Sequence, residues 1–122
     1  MSVNYESQKI YLRTIAELGQ TLEKVRNVDI AAALGYTKPS VSNMIQKLRS
    51  TGLVSSESTT CISLTETGKK EAELFSERMD ILKDFLLYLG ADEKSACENA
   101  VHIEHVISDD VFQLIKHYNP QK

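Results

Sequence analysis

Val28-Asp29-Ile30-Ala31-Ala32-Ala33-Leu34-Gly35-Tyr36-Thr37-Lys38-Pro39-Ser40-Val41-Ser42-Asn43-Met44-Ile45-Gln46-Lys47-Leu48-Arg49-Ser50 is the stretch on which the fold turns. Ile30, Ala31 and Leu34 fall at helical spacing, and Gly35 can take the left-handed conformation that ends a helix. A tight turn follows. Pro39 suits the first turn of the next helix, where its missing N–H has no partner to lose and its fixed φ is already helical. Lys38, kept out of the α region by that proline, is the expected N-cap. On the second helix Val41, Met44, Ile45 and Leu48 share one face, while Pro39, Ser42, Asn43, Gln46 and Ser50 share the other, with Lys47 and Arg49 at its flanks. Two short helices joined by a glycine-containing turn read as a helix-turn-helix.

Working outward, Tyr11, Leu12, Ile15 and Leu18 predict an amphipathic helix over roughly residues 5–18, stopped by Gly19. Downstream, Gly52 closes the second helix of the pair. From Leu53-Val54 to Cys61-Ile62-Ser63-Leu64 polar and apolar residues alternate around a Ser/Thr-rich centre, which predicts a two-stranded hairpin serving as a wing. After Thr65-Glu66-Thr67-Gly68 a long helix carries Ala72, Phe75, Leu82, Phe85, Leu86 and Leu89 on one stripe and ends at Gly90. Two more helices are expected at about 92–107 and 109–118, with Asp92 and Ser108 as N-caps. The predicted fold is mainly α with a small β-hairpin: a winged helix-turn-helix over 1–68, then a helical dimerisation domain over 69–122. The later stripes exceed what so short a chain can cover, which points to a second copy of itself; an intramolecular three-helix cluster is the alternative.

The composition, 42% hydrophobic and 25% charged, is that of an ordinary globular protein. Cys61 and Cys97 stand far apart with no secretory h-region ahead of them and no apolar run long enough for a membrane span, so the expectation is a cytoplasmic protein without a membrane partner. The net charge of −3 is unevenly spread, +2 over residues 1–65 and −5 over 66–122. A mildly basic first half can meet phosphates; the acidic second half has other work. No Ser/His/Asp or Cys/His arrangement, glycine-rich phosphate loop or paired-carboxylate site stands out, so an enzyme is not expected.

The polar helix face makes double-stranded DNA the expected partner. Asn43 and Gln46 can read base edges; Lys38, Lys47 and Arg49 can anchor phosphates; Thr37, Ser40 and Ser42 lie near the helix start, where hydroxyls can donate to phosphate oxygens beside Pro39. A merely solvated surface is the alternative. A second cluster, Glu98-x-x-x-His102-x-Glu104-His105, offers imidazole and carboxylate groups on one helix, with Cys97 on an overlapping side. Neither H-E-x-x-H nor H-x-x-E-H is present, so metalloenzyme chemistry is not indicated.

Tyr11-Leu12-Arg13-Thr14-Ile15, Lys38-Pro39-Ser40-Val41-Ser42 through Leu48-Arg49, Leu64-Thr65-x-Thr67-Gly68 and Ile103-Glu104-His105-Val106-Ile107-Ser108 together resemble the diphtheria toxin repressor and manganese transport regulator family of metal-dependent repressors. The resemblance implies a homodimeric transcription factor. It also implies the short form: the SH3-like domain of longer members would have to follow residue 118, as it does not in the manganese-type regulators. Most of the family's ligands are not matched. Ile10 stands where the resemblance sets a Met or Asp, Arg13 where it sets a Glu, Met79 after Arg78 where it sets a His, Lys83 at an acidic position, and Val101 at a Cys or Glu. Glu104 and His105 remain, with Cys97 where some iron-type members carry a histidine.

Three outcomes stay open: a regulator needing no metal, a rearranged soft site built from Cys97, Glu104, His105 and Met79 for manganese, iron or zinc, or control by another ligand. Arg13 and Lys83 are candidate ion-pair partners for Glu104. The function expected is a sequence-specific DNA-binding regulator; the rival is a protein-interaction module on the same scaffold.

Overall fold

The computed structural model describes residues 2–118, with side-chain surroundings from residue 8 onward; residues 119–122, the tail of the second expected domain, lie outside it. Six helices carry the described chain: α1 (Ser2–Thr21), α2 (Asn27–Leu34), α3 (Lys38–Ser50), α4 (Glu66–Tyr88), α5 (Glu93–Val106) and α6 (Asp109–Tyr118). They divide between two compact units, one of Ser7–Glu73 and one that begins at Leu74 and takes in the start of α1.

In the Ser7–Glu73 unit the apolar faces meet as the spacing requires. Tyr11, Leu12 and Ile15 of α1, Ile30 of α2, Val41, Ile45 and Leu48 of α3, and Ala72 of α4 form one buried cluster with Val25, Val54 and Ile62. Each large side chain taken out of water here contributes about 1.5–3 kcal/mol. α1 does not stop at Gly19: that residue sits inside the helix, and the chain leaves only after Thr21. Glycine weakens a helix without forbidding it, and burial of the Tyr11, Leu12 and Ile15 face outweighs roughly 1 kcal/mol of lost propensity.

α2 ends on Gly35, whose φ of 71° is left-handed and whose N–H donates to the Ala31 carbonyl at 2.8 Å. The cap of α3 is Thr37, not Lys38. Thr37 is extended and its Oγ1 accepts the Ser40 N–H at 3.3 Å, while Lys38 is already the first helical residue. A hydroxyl can accept an orphan N–H and a lysine ammonium cannot, so the cap falls one residue earlier than the proline alone suggests.

The expected hairpin is not formed. Among the described residues there is no strand, only an isolated antiparallel bridge between Val54 and Leu64. The groups a ladder would use are engaged elsewhere. Ser55 N–H reaches Ser63 O at 2.8 Å, but Ile62 N–H donates to Val25 O at 2.8 Å, outside the wing. The wing is therefore an ordered loop rather than a β-ribbon. Its base is sealed by Gly68: a Cβ at that position would overlap the Leu53 carbonyl oxygen, so only glycine lets α4 begin so close to the wing.

In the second unit Asp92 caps α5, its Oδ1 accepting the Ser95 N–H at 2.7 Å, and Ser108 Oγ accepts the Val111 N–H at the start of α6 at 3.5 Å. Phe75, Met79 and Leu82 of α4, Ala96 and Ala100 of α5, and Phe112 of α6 are buried. The rest of the apolar stripe is not: Leu89, Val106, Leu114 and Tyr118 are 64%, 77%, 70% and 67% exposed. No described helix is long and apolar enough to cross a membrane.

Candidate nucleic-acid interface and the ion-paired centre of the second unit

The outer face of α3 exists because its inner face is fixed. Val41, Ile45 and Leu48 are at most 1% exposed, so the helix cannot roll, and Asn43, Gln46 and Lys47 are left facing solvent on the opposite side. Thr37, Lys38, Pro39 and Ser40 are also exposed, at the N-terminal end of the helix where the helix dipole favours an anion. Thr37 and Ser40 are occupied with each other, their hydroxyl oxygens 3.0 Å apart, so their first role is to cap. Ser42 is half-buried.

Arg49 is elsewhere. Its side chain turns under the wing, Nε donating to Ser55 O at 3.2 Å and Nη2 to Ser58 O at 2.9 Å. The structure thus brings Lys38, Asn43, Gln46 and Lys47 onto one accessible surface and sets Arg49 apart from it.

In the second unit the residues of the expected metal region do not converge. Glu104, 3% exposed at its side chain, has its Oε2 3.3 Å from Arg78 Nε. Arg78 also donates from Nη1 to Asp109 Oδ1 at 3.2 Å, and its guanidinium lies 4.2 Å from the centre of the Phe112 ring. One arginine from α4 is thereby held by α5 and α6 through two carboxylates and an aromatic face, an arrangement suited to a planar delocalised cation and not to an ammonium. No spacing rule flags it, because the partners lie on different helices; an arginine in the middle of an apolar stripe is the only trace.

The other charged residues have their own partners. Lys83 Nζ sits 3.1 Å from Glu93 Oε2, and Arg13 Nε 3.1 Å from Glu17 Oε2. The hydrogen bond that Lys83 donates to Glu93, with a smaller contribution from Cys97, holds its ammonium above its usual range. The ion pair seen at Glu104 is with Arg78, a partner that the sequence reading does not name. Met79 is buried, and Cys97 and His105 are half-buried. Among the described residues no three His, Cys, Asp or Glu side chains gather as a metal site. The buried Glu104 carboxylate faces the Arg78 guanidinium, and Met79, Lys83 and Val101 stand at positions where the resemblance sets ligands.

Comparison with known proteins gives a consistent result along the chain. Residues 5–60 match the iron dependent repressor N-terminal DNA binding domain, and residues 65–120 match the iron dependent repressor metal binding and dimerisation domain. The transcriptional regulator MntR of Escherichia coli O6:H1 is 32% identical over 106 residues, 87% of this chain and 68% of that protein. An HTH-type transcriptional regulator of Methanocaldococcus jannaschii is 36% identical over 93 residues, 75% of this chain and 74% of its own. Among solved structures, the manganese regulator SloR superposes with a TM-score of 0.82 at 28% identity, over 91% of this chain and 52% of that one. The chain thus spans about half the length of that structure.

Proposed function

The chain belongs to the iron dependent repressor family, and from that premise we propose that it is a cytoplasmic homodimeric transcription regulator that binds operator DNA through α3 and needs no manganese or ferrous iron to do so. The observation that carries the reading is the division of α3 into an immovable apolar face and an exposed face bearing Asn43, Gln46, Lys38 and Lys47. Asparagine and glutamine can donate and accept together at a base edge, and the two lysines can neutralise phosphates on either side. Residues 1–68 form the DNA-binding part and residues 69–122 the dimerisation part.

Dimerisation is supported by the apolar side chains left in solvent beyond Leu74, since a second copy presenting the same surface buries both at once. Paired α3 helices then suit two half-sites about one helical turn apart. Metal independence is supported by the Arg78–Glu104 ion pair, which places a cation of the chain's own at the retained carboxylate.

Selection of binding sites from random duplexes, followed by titration across salt concentrations, tests the reading. A recovered palindrome bound with an affinity that falls steeply as salt rises is expected. Absence of any duplex preference at any salt would favour the alternative, a protein-interaction module on this scaffold.

A further inference from the structure

We infer that Arg49 is a positioning residue that fixes the wing against the recognition helix, and that it serves operator binding through the wing rather than by touching a phosphate itself. The inference rests on the DNA-binding reading above. The base of the wing is fixed by the Val54–Leu64 bridge and by buried Ile62, whose N–H donates to Val25 O at 2.8 Å, but its tip has little holding it in place. Beyond the Val54–Leu64 bridge and the Ser55–Ser63 hydrogen bond, no backbone bond crosses the loop among the described residues of 56–61. The turn is knitted only locally, Ser55 Oγ accepting from Glu57 N–H at 3.2 Å and Ser58 Oγ accepting from the N–H groups of Thr60 and Cys61 at 3.2 and 3.1 Å. Such hydroxyl turns set the loop's shape but not its place.

Its place is set by Arg49. The guanidinium rises from the last turn of α3 and spans two carbonyls three residues apart, Ser55 O and Ser58 O. Both acceptors are neutral backbone groups, partly withdrawn from water, where a charge-assisted hydrogen bond is stronger than at the surface. Because α3 is held by Val41, Ile45 and Leu48, the wing tip carrying Ser56, Thr59 and Thr60 is held at a fixed distance from Asn43 and Gln46. Hydroxyls at such a tip are donors for phosphate oxygens beside the groove that α3 enters. A lysine here reaches one carbonyl at most, since its ammonium has no fork.

Two variants test this, Arg49→Lys and Arg49→Ala, with amide exchange of residues 55–61 in the free protein and operator affinity as readouts. Both variants are expected to exchange faster across 55–61 and to bind operator about tenfold more weakly or worse, the worth of one charge-assisted hydrogen bond. The slope of log affinity against log salt should stay at the wild-type value for both. Arg49→Lys keeps the charge and the aliphatic stem, so it carries the test if Arg49→Ala fails to fold.

Rescue of affinity by Arg49→Lys, together with a slope reduced by about 0.9 in Arg49→Ala, would make Arg49 a phosphate contact and overturn the inference. Unchanged exchange across 55–61 in both variants would overturn it too, whatever the DNA result. A wild-type protein that binds no duplex would instead count against the function on which the inference rests, and the exchange measurement would still decide whether Arg49 holds the wing.

Discussion

Arg78 Nε stands 3.3 Å from Glu104 Oε2, with the two side chains 11% and 3% exposed. A pair this deep is costly to break and cheap to replace as a whole, because the penalty lies in leaving one charge buried alone. Arg78→Met is expected to destabilise the protein by about 3 kcal/mol, whereas Arg78→Met combined with Glu104→Leu should recover most of that loss. Urea denaturation of the two variants and wild type checks it. A single variant as stable as wild type would show that the pair does not organise the second unit.

Gly19 and Gly68 are both helical glycines and should respond in opposite directions. A Cβ at Gly19 meets nothing within 4 Å, so Gly19→Ala is expected to stabilise by about 0.5–1 kcal/mol through helix propensity. At Gly68 the same methyl would overlap the Leu53 carbonyl, and Gly68→Ala is expected to cost about 1–3 kcal/mol as the wing base and α4 are forced apart. Thermal melts of the pair give the comparison.

Much of this was legible in the sequence because it depended on neighbours. Gly35 and Gly90 end α2 and α4 as their positions suggest, at φ of 71° and 110°, and the Val41, Ile45 and Leu48 face of α3 follows from spacing alone. What was not legible depended on distant groups. The alternation around Ser55–Ser63 reads as a hairpin, yet Val25 takes the Ile62 N–H and Arg49 takes two wing carbonyls, and neither is visible from the pattern of the loop. Arg49 itself looks like one more flanking cation of a polar helix face. Arg78 finds Glu104 and Asp109 on two other helices, so no local period marks the site.

On the α3 face proposed to read DNA, two kinds of residue are expected. Lys47→Ala is expected to weaken binding about equally on all sequences and to lower the salt slope by about 0.9, as loss of one phosphate contact does. Asn43→Ala and Gln46→Ala should instead change which bases are preferred at particular operator positions, by about 1–3 kcal/mol each. Repeating the site selection with each variant distinguishes them; unchanged preference at every position for both Asn43 and Gln46 would remove α3 from the groove.

The exposed apolar residues of α5 and α6 give the dimer its test. Val106→Glu with Leu114→Glu places two charges on a surface 77% and 70% exposed in the single chain, so the monomer should fold as before while association fails. Sedimentation at tens of micromolar, a customary range for weak dimers, should give a dimer for wild type and a monomer for the double variant. A wild-type monomer at that concentration would contradict the assignment of residues 69–122 to dimerisation.

The central claim is that operator binding needs no divalent metal, and one comparison tests it most directly: the operator affinity of chelator-treated protein, measured at fixed ionic strength with and without manganese, ferrous iron or zinc. Fixed ionic strength matters because added cations compete for phosphates on their own account. With Ile10, Arg13, Met79, Lys83 and Val101 at the positions where the resemblance sets ligands, and Arg78 at Glu104, the affinity is expected to stay within about twofold for all three metals. A rise of tenfold or more, about 1.4 kcal/mol of coupling, would contradict the account, and its loss in Cys97→Ala and His105→Ala would place a working metal switch at those residues.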